Sequence, residues 1–362
     1  MRLSWKIFDL EMRDPWSIAS RQGEGGKGLD VTRTVFVRLQ DAQGNIGIGE
    51  ASPVPYYGES PESMVAIFAR LKTGDWEFAD WEVIERELEK IDGHYAAKCA
   101  LNTALLDGAA RAGSKPLDQY LNLARAASDL TSSFTIGLAE PEVIERKVRD
   151  ADAYPLLKLK VGLETDFQNL QALRAAAPTK PLRVDANEAW KTRDVALAKI
   201  EALAIDPNIL CVEQPMPRSA SPEDWIWLRE RSPLPLMADE SYRQAGDIDQ
   251  VLGGFDWVNV KLVKAGGPHQ AKLALEEARA AGLKTMMGCM IESSWLISAG
   301  VRLAALADDL DLDGAALVGN DPFRGAAIPH GILDTESLTH TPGIGAQPTS
   351  PGFLETGWHY CG

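Results

Sequence analysis

Residues 182–187 read Leu182-Arg-Val-Asp185-Ala-Asn187, a short, mainly apolar run that ends on a charged residue. Four other segments have the same form. Those four end on Lys160, Glu213, Asp239 and Lys261, so a charged residue follows an apolar run every 22 to 28 residues. This spacing is the length of one strand and one helix together. In a barrel of parallel strands, the carboxyl ends of all strands open at one face. We therefore expect these charged residues to meet there.

From about residue 132 onward, short apolar runs alternate with longer amphipathic stretches rich in Ala and Leu. Such alternation predicts parallel strands that are joined by helical crossovers. The predicted strands are 133–137, 156–161, 182–184, 209–212, 236–238, 257–262, 284–287 and 315–317. The predicted helices between them include 166–176, 192–204, 222–229 and 268–281. Eight strands in about 190 residues favour a closed βα barrel over an open sheet.

The N-terminal third has a different pattern. Two β-rich runs, 33–39 and 46–50, flank a turn and predict a hairpin. Between residues 64 and 112, apolar side chains at three- and four-residue spacing predict helices. This combination indicates an α+β domain at 1–124, before a barrel at 125–322. The segment 323–362, rich in Gly, Pro and Thr, is predicted to return to the first domain.

The composition excludes several classes of protein. The chain has 362 residues, with 37 Lys and Arg against 52 Asp and Glu, so its net charge is −15. That balance argues against a nucleic-acid or anionic-membrane partner, because phosphates would be repelled. The sequence shows neither a signal peptide nor an apolar run long enough for a membrane helix. We expect a cytoplasmic protein, and a homo-oligomer is compatible with the sequence.

Three of the charged residues at predicted strand ends are acids: Asp185, Glu213 and Asp239. Each one alone could equally be a helix cap or a surface charge. Three ionised carboxylates that share a small site need a cation to neutralise them. A set of oxygen ligands without His or Cys favours Mg²⁺ over zinc. Together the three acids predict a site for one Mg²⁺ per chain.

The lysines at the same strand ends suit proton transfer. Lys158 and Lys160 are two residues apart, so their side chains share one face of a strand. Lys261 follows four strands later, roughly across the barrel mouth. Repulsion between cations and partial burial are expected to lower the pKa of such lysines towards neutrality. Two bases that face each other across one carbon suit proton removal from one side and delivery from the other.

Three motifs together resemble the muconate-lactonizing-enzyme subgroup of the enolase superfamily. They are the Lys-x-Lys pair at 158–160, the acidic series, and Asn259-Val-Lys261-Leu-Val-Lys264-Ala-Gly-Gly267. The resemblance extends over nearly the whole chain, from 47–60 to 311–314. It implies an α/β fold, a modified (β/α)7β barrel that binds Mg²⁺. It also implies an α+β capping domain that is built from both chain termini.

Within that subgroup the chain is most similar to dipeptide epimerases, in particular those that act on L-Ala-D/L-Glu, at 288–292 and 311–313. The resemblance implies that Lys160 and Lys261 are the two bases and that Lys158 helps to hold the metal-bound carboxylate. It implies that Asp311 and Asp313 bind the α-ammonium group of the substrate. It further implies that Arg21 pairs with a glutamate side chain. From the residues alone, 308–313 could equally be an exposed acidic loop, and Arg21 an ordinary surface residue.

The expected reaction is therefore Mg²⁺-dependent 1,1-proton transfer at the α-carbon of the C-terminal residue of a dipeptide, in the recycling of cell-wall peptides. Three alternatives stay open. The first is a dipeptide epimerase with another side-chain preference. The second is an o-succinylbenzoate synthase or muconate cycloisomerase, whose substrates carry no ammonium group. The third is a non-catalytic, metal-dependent binding protein, which would have no need of two opposed lysines.

Overall fold

The computed structural model describes residues 1–17, 29–127, 130–338 and 340–361. The chain opens with three antiparallel strands: β1 (Arg2–Trp16), β2 (Leu29–Gln40) and β3 (Ile46–Ala51). The predicted hairpin is confirmed as β2 and β3. Strand β1 was not predicted. Its outer residues are charged, and they interrupt the apolar pattern that would indicate a strand.

Helices cover this sheet. They are α1 (Pro61–Phe68), α2 (Trp81–Glu89), α3 (Tyr95–Ala112) and the short α4 (Leu117–Tyr120). Helix α3 packs so closely on β3 that a Cβ at Gly47 would lie 2.0 Å from the carbonyl oxygen of Ala104. At Gly49 it would lie 1.8 Å from that of Ala100. The two glycines therefore permit the contact between the sheet and its longest helix.

Eight parallel strands then form the barrel, and each one pairs with the next along the chain. They are β4 (Phe134–Ile136), β5 (Leu157–Lys160), β6 (Leu182–Asp185), β7 (Ile209–Glu213), β8 (Leu236–Ala238), β9 (Trp257–Lys261), β10 (Lys284–Gly288) and β11 (Asp309–Asp311). Seven of the predicted strands are confirmed. The eighth was wrong, because 315–317 lies in a 3₁₀ helix, Gly314–Leu317. The true strand is acidic, and buried cations on β5 and β6 neutralise it.

The helices of this region follow the strands. They are α5 (Pro141–Asp150), α6 (Asp166–Ala176), α7 (Arg193–Leu203), α8 (Pro222–Arg231), α9 (Leu262–Ala265), α10 (Pro268–Ala280) and α11 (Ser294–Val301). The four predicted helices are confirmed. The connection from β8 to β9 carries only a 3₁₀ turn, Ile248–Gln250. The architecture is the modified barrel that was expected, with an α+β cap.

The chain after β11 returns to its beginning. Strands β12 (Phe323–Arg324) and β13 (Gln347–Pro348) pair with each other, and α12 (Gly352–Glu355) follows. Strand β14 (His359–Tyr360) then pairs antiparallel with β1 and completes a four-stranded sheet. This pairing supports the division at 1–124, 125–322 and 323–362, whose boundaries remain a prediction. Among the described residues, no helix has the length and hydropathy needed to cross a membrane.

Candidate active site

Three carboxylates meet at the carboxyl ends of neighbouring barrel strands. Asp185 ends β6, Glu213 ends β7, and Asp239 directly follows β8. The parallel register sets Asp185 opposite Glu213. All three are at most 2 % exposed, and one oxygen from each lies within 4.8 Å of the others. The structure thus brings together the three acids that the sequence singled out.

The surrounding charges act unevenly on the pKa values of the three acids. Burial, together with Asp185 and Asp239, raises the pKa of Glu213 to about 7. Burial acts in the same direction on Asp239, but Lys261 and Lys264 outweigh it and hold the pKa of Asp239 well below its usual range. Three buried carboxylates whose oxygens lie this close together suit a hard divalent cation.

Lysines flank the trio on both sides. Lys160, at the end of β5, places its Nζ 2.6 Å from Oδ2 of Asp185. Lys261, at the end of β9, places its Nζ 2.8 Å from Oδ2 of Asp239. Lys158 lies deeper in the barrel, with its Nζ 2.8 Å from Oε2 of Glu213 and 3.0 Å from Oδ2 of Asp185. The two outer lysines therefore stand on strands that bracket the three acids.

The expectation that these lysines have lowered pKa values was wrong for Lys158 and Lys261 in this structure. Burial does act to lower both values. It is outweighed by the surrounding acids, Asp311 and Glu213 for Lys158 and Asp239 for Lys261, and both pKa values lie above the usual range. The attraction of the carboxylates that face these two lysines exceeds both burial and the repulsion between cations.

Asp311 and Asp313 are buried at the opposite edge of the barrel mouth, with exposures of 4 % and 8 %. The reading of 308–313 as an exposed loop is therefore wrong for these two side chains. Asp311 receives hydrogen bonds at both oxygens, from the Ser133 hydroxyl at 2.5 Å and from Lys158 at 2.8 Å. Among the described residues, none forms an ion pair with Asp313. Burial and the charge of Asp311 raise the pKa of Asp313 to about 6.

A cavity of about 110 Å³ lies between the barrel mouth and the cap. Its barrel side carries Lys158, Lys160, Asp239, Lys261, Asp311 and Asp313. Its cap side carries Trp16, Pro53, Val54, Tyr56 and Tyr57. Arg21 lies outside the described residues, so its predicted contact stays a prediction. Six of the charged residues named from the sequence thus face one space, which is covered mainly by aromatic and apolar side chains.

Residues 142–352 match the family described as Enolase C-terminal domain-like. This chain belongs to that family. It is 46% identical to the L-Ala-D/L-amino acid epimerase of Pedosphaera parvula over 345 residues, which is 95% of this chain and 99% of the relative. The predicted membership of the enolase superfamily is confirmed.

Two solved structures are similar along almost the whole length of this enolase-family chain. One is a substrate-liganded complex of the L-Ala-D/L-Glu epimerase from Bacillus subtilis, with a TM-score of 0.87 and 26% identity, over 97% of this chain and 99% of that chain. The other is a dipeptide epimerase from Enterococcus faecalis complexed with Mg and L-Leu-L-Tyr, with a TM-score of 0.84 and 28% identity, over 96% and 99%. This chain is accordingly an isomerase.

Several residues that support the acidic trio were not assigned from the sequence. Nδ2 of Asn259 donates to Oε1 of Glu213 at 2.9 Å. Lys264 is buried, forms an ion pair with Asp239 and donates to its carbonyl oxygen at 2.5 Å. Both residues belong to the 259–267 motif, in which only Lys261 was given a role. Gln214 adopts a left-handed backbone (φ 38°), and its Oε1 accepts the backbone N–H of Asp239 at 2.9 Å.

The cap is joined to the barrel beside the cavity. The hydroxyl of Tyr56 donates to Glu188, which follows β6. The guanidinium of Arg218 lies 4.7 Å from the ring centroid of Tyr56 and 5.3 Å from that of Tyr57. The tyrosines lie in the 47–60 motif that the sequence analysis noted without a role. Their contacts show that this motif connects the two parts of the enolase-family chain.

Proposed function

We propose that this chain is a dipeptide epimerase that inverts the α-carbon of the C-terminal residue. Of Lys160 and Lys261, one would remove the α-proton and the other would deliver a proton. The observation that carries this proposal is the position of the two lysines. They flank the acidic trio from either side and line the same cavity as Asp313. One lysine would accept the α-proton, and the conjugate acid of the other would donate a proton to the opposite face.

Asp185, Glu213 and Asp239 would hold one Mg²⁺. Their burial, their mutual distances within 4.8 Å and the raised pKa of Glu213 all fit a hard divalent cation. The similar enzyme from Enterococcus faecalis is complexed with Mg. When bound, the ion would stabilise the negative charge that develops on the substrate carboxylate. Lys158, in contact with two of the three acids, would add a fixed positive charge beside that carboxylate.

Asp311 and Asp313 would bind a free α-ammonium group. Lys158 already matches the charge of Asp311, whereas Asp313 is buried without an ion-pair partner among the described residues. A substrate cation would supply that partner. This argument disfavours o-succinylbenzoate synthase and muconate cycloisomerase chemistry, whose substrates lack an ammonium group. The two opposed lysines disfavour a protein that only binds.

We propose L-Ala-D/L-Glu as the substrate, with Arg21 as the partner of the glutamate side chain and cell-wall peptide recycling in the cytoplasm as the setting. Two of the relatives named above are an L-Ala-D/L-Glu epimerase and an L-Ala-D/L-amino acid epimerase. One observation favours a second candidate, an epimerase for apolar side chains. Among the described cavity residues, the cap side is mostly aromatic and apolar, with Thr32 and Ser52 as its small polar members, and the cations are the three barrel lysines.

The test follows L-Ala-L-Glu in D₂O with Mg²⁺, by chiral chromatography and by mass spectrometry. Lys160→Ala and Lys261→Ala should each abolish epimerisation, because a positioned general base contributes about 10²–10⁴-fold to the rate. We expect one variant to retain exchange of the α-proton of one epimer, with Lys160 serving the L-configured centre. Lys90→Ala is the control, because that lysine is exposed and pairs only with Glu87. Epimerisation at the wild-type rate in both variants would exclude the two-base mechanism.

A further inference from the structure

The barrel closes at a seam between β4 and β11 that has little backbone pairing. One isolated bridge joins Ser132 to Leu310, and the N–H of Ser133 donates to the carbonyl of Leu310 at 3.3 Å. Arg183, on β6, reaches this seam across the barrel interior. It is 1 % exposed, donates to the carbonyl of Leu310 at 2.9 Å and forms an ion pair with Asp309. The guanidinium of Arg183 is thus one of the contacts that cross the seam, beside the hydrogen bonds from Ser133 to Asp311 and from the Thr135 N–H to Asp313.

The same guanidinium fixes the direction of a hydroxyl proton. Nη1 of Arg183 lies 3.2 Å from Oγ of Ser133. A guanidinium has donors and no acceptor, so the Ser133 oxygen must accept that bond. Its own proton is then free to point to Oδ1 of Asp311, which lies 2.5 Å away. Arg183 thus donates to the Ser133 oxygen, while the Ser133 hydroxyl donates its proton to the carboxylate.

Both oxygens of Asp311 are in this way occupied from opposite sides. Ser133 holds Oδ1 and Lys158 holds Oδ2 at 2.8 Å. Lys158 also contacts Glu213 and Asp185, which pull the ammonium group towards the acidic trio. Without the hydroxyl, only Lys158 would orient the Asp311 carboxylate. The carboxylate could then rotate about its bond to Cβ and turn both oxygens towards that lysine.

We propose that Ser133, oriented by Arg183, is a positioning residue that holds the Asp311 carboxylate in the orientation that receives the α-ammonium group of the substrate. This inference rests on the proposed dipeptide epimerase function. It gives a positioning role to Ser133 and Arg183, two buried residues that contact neither the acidic trio nor the two outer lysines in the described part of the chain.

The test is Ser133→Ala, with Ser132→Ala as the matched control. Ser132 is equally buried and adjacent, but its hydroxyl contacts backbone groups in the described part of the chain, those of Leu312 and Ser133. We expect Ser133→Ala to raise KM for L-Ala-L-Glu about tenfold or more, because a hydrogen bond to a charged group is lost. The value of kcat should change less than about threefold, since the lysines and the acidic trio are untouched. Ser132→Ala should leave KM unchanged.

A second readout separates positioning from a purely structural role. The ratio of kcat/KM for L-Ala-L-Glu to that for its N-acetylated form measures ammonium recognition, and it should shrink in Ser133→Ala but not in Ser132→Ala. Arg183→Lys should raise KM and reduce this ratio, as Ser133→Ala does. If Arg183→Lys does not fold, Ser133→Ala alone decides the test. If the wild type has the same kcat/KM for both forms, the proposed substrate class, dipeptides with a free α-ammonium group, is wrong. Suppose that the wild type prefers the free dipeptide, but that Ser133→Ala and Ser132→Ala have the same KM and the same ratio: the positioning role is then overturned. It is also overturned if Ser133→Ala lowers only Tm and kcat.

Discussion

The two walls of the cavity are built from different kinds of residue. The barrel wall presents buried lysines and carboxylates at the ends of consecutive strands, held by a parallel register. The cap wall presents Trp16, Val54 and two tyrosines, which come from the end of β1 and the loop after β3. Ion pairs fix the first wall, whereas ring contacts and one hydroxyl bond connect the second to the barrel. On the proposed function, proton transfer would belong to the barrel wall and choice of the substrate side chain to the cap wall.

The largest effect is expected from the barrel wall. Glu213→Gln keeps the hydrogen bond from Asn259 possible but removes one of three charges from the acidic trio. Epimerisation should fall about a thousandfold or more, since a bound metal ion contributes several kcal/mol of charge stabilisation. Isothermal titration with Mg²⁺ should show a loss of affinity of about a hundredfold or more. Mutation of a residue that only supports a metal ligand already lowers metal affinity about 10–100-fold.

Glu201→Gln, at an exposed helix position, is the control for this change. Chelation of the wild type, followed by Mg²⁺ addition, should abolish and restore the activity. If Glu213→Gln kept wild-type Mg²⁺ affinity and rate, the barrel wall would not be the metal site.

Recognition of the ammonium group should give the next largest effect. Asp313→Asn, or N-acetylation of L-Ala-L-Glu, removes one partner of a buried ion pair. Such a loss costs about 3–5 kcal/mol, so kcat/KM should fall at least about a hundredfold. Rates at equal substrate concentration measure this directly. Equal turnover of the N-acetylated dipeptide would favour an N-acylamino acid as the substrate.

The pH dependence offers a smaller, graded effect at the same residue. Burial and Asp311 raise the pKa of Asp313 to about 6, so its carboxylate is ionised above that pH and protonated below it. The neutral acid attracts an ammonium group less, and kcat/KM should therefore decline below about pH 6, by up to tenfold per unit. Asp313→Asn, assayed from pH 5 to 8, should lack this limb of the profile. A limb that persists unchanged in the variant would belong to another group.

The two walls also differ in how far the sequence predicted them. Asp185, Glu213 and Asp239 recur at the length of a βα unit, so their meeting at one face follows from the barrel itself. Strand β11 was missed because its acidic residues suit an exposed loop until Arg183 and Lys158 are known to face them. Tyr56 of the cap and Glu188 of the barrel are 132 positions apart. No local period connects them, and only the folded chain brings them into contact.

The smallest expected effect concerns the side chain of the substrate, which the cap wall should select. If Arg21 pairs with the distal carboxylate, L-Ala-L-Glu should be epimerised faster than L-Ala-L-Gln, and Arg21→Ala should narrow that difference. A solvent-accessible ion pair is worth about 0.2–1 kcal/mol, so the preference should be only a few-fold. The control is Arg70→Ala, since that arginine is exposed in the cap and does not line the cavity. Should the wild type prefer L-Ala-L-Leu or L-Ala-L-Phe instead, the apolar residues Trp16, Val54 and Tyr57 would be the selecting surface. Both results leave proton transfer with the barrel lysines. By contrast, Arg21→Ala could change the ratio of epimerisation to α-proton exchange. That result would show that the cap takes part in proton transfer and that the two walls do not have separate roles.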